Sequence, residues 1–279
     1  MESKQKDQFV VAYIRNFDEV EAVLSYANAL SSILKKGIIL LYISDNTPKT
    51  LNTEDAENRL KALTKNVQSE YVVSYIAVSG NPKMIISALP EKIGVVCFIS
   101  SISEEEQRLK EVRKLLSSFA ESRVAYLFVK EPLQEIEHLK KVAFTIDFEK
   151  QSKEKVLWAS YFGRFFQSKI HCLYYTYRDE FLKRKFQDNH MFVSKMLSSF
   201  QVQLFFEEIK ARKKWRLDQD ALKQSVETDA GLFIAIAVEN KSFVSYLTGG
   251  TSEERLLLML KKTPVMLLNP RKDLYVLCD

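Results

Sequence analysis

Glycine, proline and cysteine are all scarce in this sequence. Seven glycines and six prolines among 279 residues leave little material for the glycine-rich loops that cradle phosphate groups. The three cysteines, Cys97, Cys172 and Cys278, are widely separated and form no Cys-x-x-Cys pair. They indicate neither a disulfide framework nor a zinc site, and they fit a reducing compartment.

Histidine is equally rare, which limits the catalytic chemistry that the chain can perform. His138 stands in a predicted linker, His171 on a predicted strand and His190 on a predicted helix surface. No Ser/His/Asp or Cys/His arrangement and no cluster with metal-ligand spacing follows from these positions. We therefore expect no catalytic residue, no metal site and a protein that is not an enzyme.

Long hydrophobic runs and a strong charge of one sign are also missing. The apolar runs at residues 38–43 and 256–260 are far shorter than the ~20 residues of a membrane span, and the charged amino terminus lacks the apolar core of a secretory signal. The net charge of +5 comes from 41 basic and 36 acidic residues that are mostly interleaved. We expect a cytoplasmic protein and favour neither nucleic acid nor membrane as its partner.

Apolar runs typical of strands alternate with amphipathic helical periodicity along the first half of the chain. Strands are predicted at residues 9–14, 38–43, 71–78, 95–99 and 124–129, with helices at 18–34, 56–67, 84–89 and 104–119. We expect Asp18 to cap the first helix and Gly37 to end it. The alternation predicts an α/β fold with a parallel sheet, helices on both faces and any ligand at the carboxyl ends of the strands.

The second half of the chain repeats this pattern. Strands are predicted at residues 142–146, 170–175, 202–206, 232–237 and 264–268, with helices at 152–167, 180–199, 218–226 and from 253. We expect Asp218 to cap the helix at 218–226. Val23-Leu24 recurs as Val156-Leu157, and Lys36 as Lys169, at a constant offset of 133. With residues 132–141 as a charged linker, we predict two homologous domains, 1–132 and 139–279.

Four segments invite a functional interpretation beside a structural one. The aromatic-rich residues 158–166 and 174–177 can line a pocket, but the core interpretation is favoured. The basic loop at residues 210–216, which contains Trp215, fits a solvated surface, nucleic-acid binding, or assistance to an anion site at the carboxyl edge of the sheet. The turn Gly249-Gly250-Thr251-Ser252 opens a helix, so it fits either an anion site or an ordinary connection.

The order of elements and several motifs resemble the universal stress protein family in its tandem form, over nearly the whole chain. Asp147 stands where the family has an Asp at the end of its first strand, and Gly80-Asn81-Pro82 matches the family's Gly-x-Pro turn. Gly250-Thr251 fits the closing Gly-Ser/Thr of the Gly-2x-Gly-9x-Gly-Ser/Thr phosphate motif, and Pro264-Val265 fits the last strand. The resemblance implies two tandem five-stranded, mostly parallel, Rossmann-like sheets with helices on both faces.

The resemblance also implies a nucleotide site in the second domain. There, Ala237 and Asn240 replace the two earlier glycines of the motif, and Ala237 adds a methyl group where the backbone approaches phosphate. ATP or another adenine nucleotide is the cofactor that the motif implies. The cofactor-binding residues carried over are Asp147, Ala237, Asn240, Gly250, Thr251 and Ser252.

The first domain departs further from the family pattern, so no nucleotide is expected there. Ser100-Ser101-Ile102-Ser103 replaces the glycines, and Ile14-Arg15 stands where the Asp is expected. The leading hypothesis is a non-catalytic binding or signalling module of the stress response. The alternatives are an ATP-binding, weakly hydrolysing protein and a scaffold without a small ligand. Pairing of the domains as an intramolecular pseudo-dimer through their last strands is expected, and a homodimer stays open.

Overall fold

The chain folds as two compact units, which a computed structural model describes over residues 8–45, 50–149, 152–209, 216–237 and 250–269. The first unit is Met1–Gln134 and the second is Glu135–Asp279. Within the described residues, each unit consists of five strands and four α-helices.

The first unit has the strand order β3-β2-β1-β4-β5, with every described pair parallel. Its strands are β1 (Gln8–Tyr13), β2 (Gly37–Ser44), β3 (Val73–Ser79), β4 (Gly94–Ser101) and β5 (Ala125–Val129). Its helices are α1 (Val20–Leu34), α2 (Thr53–Asn66), α3 (Pro82–Lys92) and α4 (Leu109–Phe119). The order reverses between β1 and β4, and in open α/β sheets ligands bind outside the carboxyl ends of the strands at such a point.

The second unit repeats this topology as β10-β9-β6-β7-β8, again with parallel pairs. Its strands are β6 (Lys141–Ile146), β7 (Lys169–Tyr174), β8 (Leu204–Glu208), β9 (Leu232–Ile236) and β10 (Val265–Leu268). Its helices are α5 (Ser152–Phe166), α6 (Glu180–Ser199), α7 (Leu217–Glu227) and α8 (Ser252–Leu258). The predicted fold class is therefore confirmed.

The side chains of the central strands are buried, which explains why the sequences of these strands are uninterrupted apolar runs. Val10, Val11 and Ala12 of β1 have no exposed surface, and neither do Leu232 and Phe233 of β9. Because successive side chains of a strand point to opposite faces, both faces of each sheet are covered. Helices α3 and α4 contact each other in the first unit, as α5 and α6, and α7 and α8, do in the second.

The residues predicted to cap and to end the first helix are both wrong. The N-cap of α1 is Glu19, which makes no capping hydrogen bond with its side chain, whereas Asn16 Oδ1 accepts a hydrogen bond from the Asp18 backbone N–H at 3.0 Å. A 3₁₀ turn, Phe17–Glu19, then leads into α1. Lys35 ends α1 in the left-handed conformation with φ of 55°, and Gly37 is the first residue of β2.

The fourth helix begins later than predicted, so two acidic residues of the predicted range lie before it. Because α4 starts at Leu109, Glu104 and Glu106 pair with residues outside this helix. Glu104 contacts Lys130 at 3.1 Å, and Glu106 contacts Arg15.

Gly231 is required by a close approach between two segments of the second unit. A Cβ atom at this position would lie 1.8 Å from the backbone oxygen of His138, while the Gly231 N–H donates to the carbonyl of Lys141 at 2.9 Å. A side chain here must therefore displace backbone.

We expect Gly231→Ala to lower the free energy of unfolding by about 3 kcal/mol, because backbone atoms cannot move aside as a side chain can. Gly163→Ala is the matched control, since its Cβ would meet only the side chain of Val202, at 2.4 Å. That variant should lose only about 1 to 2 kcal/mol. Urea titration of both variants checks the ranking, and equal losses would contradict it.

Candidate functional site

The strand order of the second unit reverses between β6 and β9, and most of the predicted site residues lie at this point. Asp147 follows β6 directly and Ala237 follows β9, while β6 and β9 are adjacent parallel strands. Gly250, Thr251 and Ser252 open α8. Asn240, the spacer at 241–249 and the basic loop at 210–215 lie outside the described residues.

The start of α8 is closed by a capping box. The Thr251 backbone N–H donates to Glu254 Oε2 at 2.9 Å, and the Glu254 N–H donates to Thr251 Oγ1 at 3.4 Å. Gly250 precedes the box with φ of 107°, a conformation that favours glycine. Two of the backbone donors that an anion would need are thus already bonded within the protein.

Two acidic side chains of α8 are buried beside these donors. Glu253 is 3% exposed and Glu254 is 2% exposed, both in the first turn of the helix. Their charges complement the helix dipole at this end. They also make the local potential unfavourable for a second anion such as a polyphosphate.

A buried cation lies at the end of the neighbouring strand β6. Lys155 of α5 is 4% exposed, and its Nζ donates to Thr145 Oγ1 at 2.9 Å. The Thr145 hydroxyl in turn donates to Asp218 Oδ1. This hydroxyl, which has no exposed surface, therefore connects a lysine and a carboxylate that lie on different helices.

The same network continues to the first residue of α8. The Ser252 hydroxyl donates to Asp218 Oδ2 at 3.4 Å and accepts from Gln219 Nε2 at 3.1 Å. Gln219 is 2% exposed, and its Oε1 has no hydrogen-bond partner among the described residues. Strand β6 and helices α5, α7 and α8 are thus joined by one set of polar side chains, with one unsatisfied acceptor at its end.

Sequence reasoning missed this network and assigned Asp218 a different role. Asp218 was expected to cap α7, but the N-cap position is Arg216, and Asp218 is the second residue of the helix. The available signal was Lys155, a cation at helical spacing from Ala159 and Phe162 on the buried side of α5.

Asp147 forms a hydrogen bond within the loop that follows β6. Its Oδ1 accepts from the Glu149 backbone N–H at 2.8 Å, and Asn189 of α6 donates to the carbonyl groups of both residues at 2.8 and 2.9 Å. Burial raises the pKa of the nearby Tyr177, and the charges of Asp147 and Glu149 raise it further. The loop is therefore fixed by α6.

Ala237 belongs to the sheet rather than to an open phosphate loop. It is buried, and its backbone N–H donates to the carbonyl of Leu268 at 2.8 Å. This donor links the end of β9 to the end of β10, so it is bonded before any ligand arrives. The role of the carried-over residues in ligand binding stays a prediction.

The corresponding edge of the first unit holds an arginine instead of an acid. Arg15, just beyond β1, donates through Nη2 to Glu106 Oε2 at 2.5 Å and through Nε to Ser100 Oγ at 3.2 Å. Its Nη2 also donates to the Ser101 carbonyl at 3.1 Å, while Glu106 accepts the Ser103 N–H at 3.2 Å. Arg15 therefore joins the ends of β1 and β4 to an internal carboxylate.

The histidines of β7 and α6 take part in packing. His171 contacts Glu207 through Nδ1 and stacks on Phe205 with ring centroids 5.0 Å apart. His190 stacks on Phe206 at 3.8 Å rather than lying on the surface as predicted. Its partial burial lowers its pKa.

The two cysteines that the structure describes, Cys97 and Cys172, are unreactive because they are buried. Burial raises the pKa of the Cys97 thiol to about 12 and that of Cys172 well above its usual range, so neither forms the reactive thiolate. Cys278 lies outside the described residues. In the described ranges, no group of three or more His, Cys, Asp or Glu side chains is placed to hold a metal ion.

The core interpretation of residues 158–166 is right for Phe162 and wrong for the outer side of α5. Phe162 is fully buried, whereas Phe165 is 51% exposed. Trp158 and Tyr161 are half-buried.

None of the helices in the described part of the chain has the length and hydrophobicity that a membrane crossing needs.

We expect Thr145→Val to lower the free energy of unfolding by about 2 kcal/mol, because it removes the hydroxyl that links the buried Lys155 to Asp218. Adding Lys155→Met should recover part of this loss, since the unpaired buried charge is then gone. Thr176→Val is the matched control, as the Thr176 hydroxyl also donates to a carboxylate, that of Glu208, but is exposed.

Denaturant titration of these variants measures the coupling free energy between Thr145 and Lys155. A Thr145→Val loss no larger than that of Thr176→Val would show that the buried network contributes nothing to stability.

Comparison with known proteins finds similarity in structure and not in sequence. No protein-family model matches the chain, and a search of curated proteins finds no significant match. A universal stress protein from Archaeoglobus fulgidus DSM 4304 superposes with a TM-score of 0.73 at 14% identity, covering 95% of this chain and 97% of that chain.

Two further solved structures match this chain over nearly its whole length. A functionally unknown protein from Pseudomonas aeruginosa PAO1 has a TM-score of 0.60 and 15% identity, covering 94% of this chain and 92% of that one. The cytoplasmic domain of a prokaryotic cation chloride cotransporter has a TM-score of 0.60 and 13% identity, with 95% and 96% covered. The resemblance predicted from sequence is thus confirmed for the fold: this chain has the universal stress protein fold, repeated in tandem.

Proposed function

We propose that this chain is a universal-stress-type regulatory module of the cytoplasm, which acts by binding and not by catalysis. The observation that carries the proposal is the closure of both candidate ligand edges by the protein's own carboxylates. In the second unit Glu254 bonds the Thr251 N–H, and in the first unit Glu106 bonds Arg15 and the Ser103 N–H.

The negative charge of the carboxylates at these edges argues against nucleotide binding and phosphoryl transfer. A triphosphate at the start of α8 would have to displace a buried carboxylate from a helix terminus and then lie beside Glu253 and Asp218. Each like-charge contact in a poorly solvated site opposes the binding of phosphate. Phosphoryl transfer depends on cations around the phosphates, and the cation of this network, Lys155, is already paired through Thr145 with Asp218.

The structural neighbours support a regulatory role. One of them is the cytoplasmic domain of a cation chloride cotransporter, which matches 95% of this chain. That structure is the cytoplasmic domain of a transporter. This favours a module that regulates a partner protein. The same neighbour supports a cytoplasmic location. Pairing of the two units as a pseudo-dimer through their last strands, Ala125–Val129 and Val265–Leu268, remains part of this proposal.

A second candidate function is adenine-nucleotide binding in the second unit. Two observations favour it: the glycine turn at Gly250, with φ of 107°, and the unsatisfied Oε1 of Gln219 near Ser252. In this case the capping box of Thr251 and Glu254 would have to open. A scaffold without a small ligand is the third candidate, and it would leave both edges as they are.

We expect millimolar ATP, ADP or AMP to leave the melting temperature of the wild-type protein unchanged, because the Thr251 and Glu254 N–H donors at the start of α8 are already bonded. A ligand at a hundred times its dissociation constant would add about 2.7 kcal/mol to the native state, which corresponds to a rise of several degrees. Thermal melting with and without nucleotide checks this.

Two variants make the outcome specific to the site. Gly250→Val adds bulk where nucleotide phosphates would contact the backbone, and Ser101→Ala alters only the first unit. A nucleotide-induced rise that persists in Ser101→Ala and disappears in Gly250→Val would replace our proposal by the second candidate.

A further inference from the structure

Strand β3 forms one edge of the sheet in the first unit, and this edge carries no charge. Among the described strands of that unit, β3 lies at the end of the order β3-β2-β1-β4-β5 and pairs with β2. Residues 71–82 include the whole of β3 and contain no charged side chain. Proteins usually protect an edge strand with charged side chains, a proline or a bulge, because its backbone groups attract another strand. The seven residues of β3 carry none of these devices.

The corresponding edge of the second unit is protected. Strand β8 lies at the end of that unit's order, and it has five residues where β3 has seven. Two of the five, Glu207 and Glu208, are acidic. Glu207 contacts His171, and Glu208 accepts a hydrogen bond from the Thr176 hydroxyl. Of the two edges, β3 is therefore the one suited to pairing with a further strand.

The backbone of β3 directs every second residue towards the free edge. The Val72 carbonyl accepts a hydrogen bond from the Ile38 N–H of β2 at 2.8 Å, so Val72 and the residues at intervals of two from it face β2. The intervening residues Val73, Tyr75 and Ala77 direct their N–H and C=O groups away from β2. These groups form the row of donors and acceptors to which an added strand bonds.

Two highly exposed apolar side chains flank the same edge. Val72, just before β3, is 69% exposed, and Met84, in the first turn of α3, is 70% exposed. In the described part of the first unit, no other large hydrophobic side chain is exposed. Exposed apolar side chains at both ends of an uncharged edge indicate a surface that binds a partner.

The two ends of the edge carry opposite charges. Glu70 precedes β3 and Lys83 follows it, and both are exposed. The contact of Lys83 with Glu121, at 2.8 Å, also lies at the surface. An antiparallel strand of the same sequence brings its own Lys83 to Glu70 at one end, and its own Glu70 to Lys83 at the other. Charge complementarity therefore favours a second copy of this chain as the partner.

We propose that two copies of the chain pair through β3 in an antiparallel, two-fold symmetric dimer. The axis passes Ile76, the central residue of β3, so that Tyr75 of each copy exchanges backbone hydrogen bonds with Ala77 of the other. The two Ile76 side chains lie opposite each other, and Glu70 of each copy lies beside Lys83 of the other. The sheets of the two first units become continuous, and the exposed apolar side chains that flank the edge are covered.

Sedimentation velocity of the full-length protein tests the proposal. The wild-type chain should form a dimer whose fraction rises between about 1 and 200 μM protein. Ile76→Lys and Ile76→Glu each place like charges opposite each other at the axis. Each should therefore raise the dissociation constant of the dimer about tenfold or more. An equimolar mixture of the two variants should dimerise again, because opposite charges then face each other.

Matched variants on β8 and a covalent cross-link make the result specific to β3. Phe205→Lys adds a charge to β8, at a side chain that is 44% exposed, and should leave the dimer unchanged. Ile76→Cys in a Cys278→Ser background should give a disulfide-linked dimer on mild oxidation, whereas Phe205→Cys should not. The Cα atoms of a non-hydrogen-bonded pair lie about 4.5 Å apart, within reach of a disulfide. The thiols of Cys97 and Cys172 are buried.

A wild-type chain that stays monomeric over this concentration range would overturn the proposal. A dimer that Phe205→Lys abolishes and Ile76→Lys leaves intact would assign the contact to another surface and would overturn it as well. Circular dichroism establishes that the charge variants are folded. If they are folded and do not dimerise when mixed, or if Ile76→Cys gives no cross-link, the proposed register is wrong. Assemblies that grow beyond the dimer would contradict the two-fold arrangement.

Discussion

The hydrogen bond between the Glu254 carboxylate and the Thr251 backbone N–H closes the capping box at the start of α8, beside the candidate site of the second unit. Backbone N–H groups at a helix start favour a negative charge, and here a carboxylate of the protein supplies it. The first unit reaches a similar result with other residues, since Glu106 bonds both Arg15 and the Ser103 N–H. In each unit, a carboxylate of the protein thus bonds a backbone N–H at this edge.

The network around Lys155 explains how the second unit tolerates so many polar groups in its interior. Taking an ammonium group out of water costs several kcal/mol unless it is compensated. Here Thr145 carries a hydrogen bond from Lys155 towards the Asp218 carboxylate, and Ser252 and Gln219 extend the network to α8. The network fixes the start of α8 relative to β6, and thus holds the capping box in place. The Gln219 Oε1 has no hydrogen-bond partner among the described residues.

The fold could be predicted from the sequence because the central strands are buried on both faces. Their sequences are therefore continuous apolar runs, which alternate with amphipathic helices. The repeat was visible because the offset of 133 is constant. Details that depend on local hydrogen bonds and backbone conformation were missed. Asn16 caps the 3₁₀ turn that precedes α1, and Lys35, two residues before Gly37, adopts the left-handed conformation at the end of α1. The network was missed because Thr145 and Asp218 are 73 residues apart and only the fold brings them together.

The central claim, that both ligand edges are closed by internal carboxylates, is tested most directly by what the native protein carries. The protein is purified without added nucleotide and denatured, and the small molecules released are separated by chromatography and quantified against protein concentration. Our account predicts no adenine nucleotide at a stoichiometric level. One molecule of ATP, ADP or AMP released per chain would contradict it, and would show that the capping box at Thr251 and Glu254 opens for phosphate.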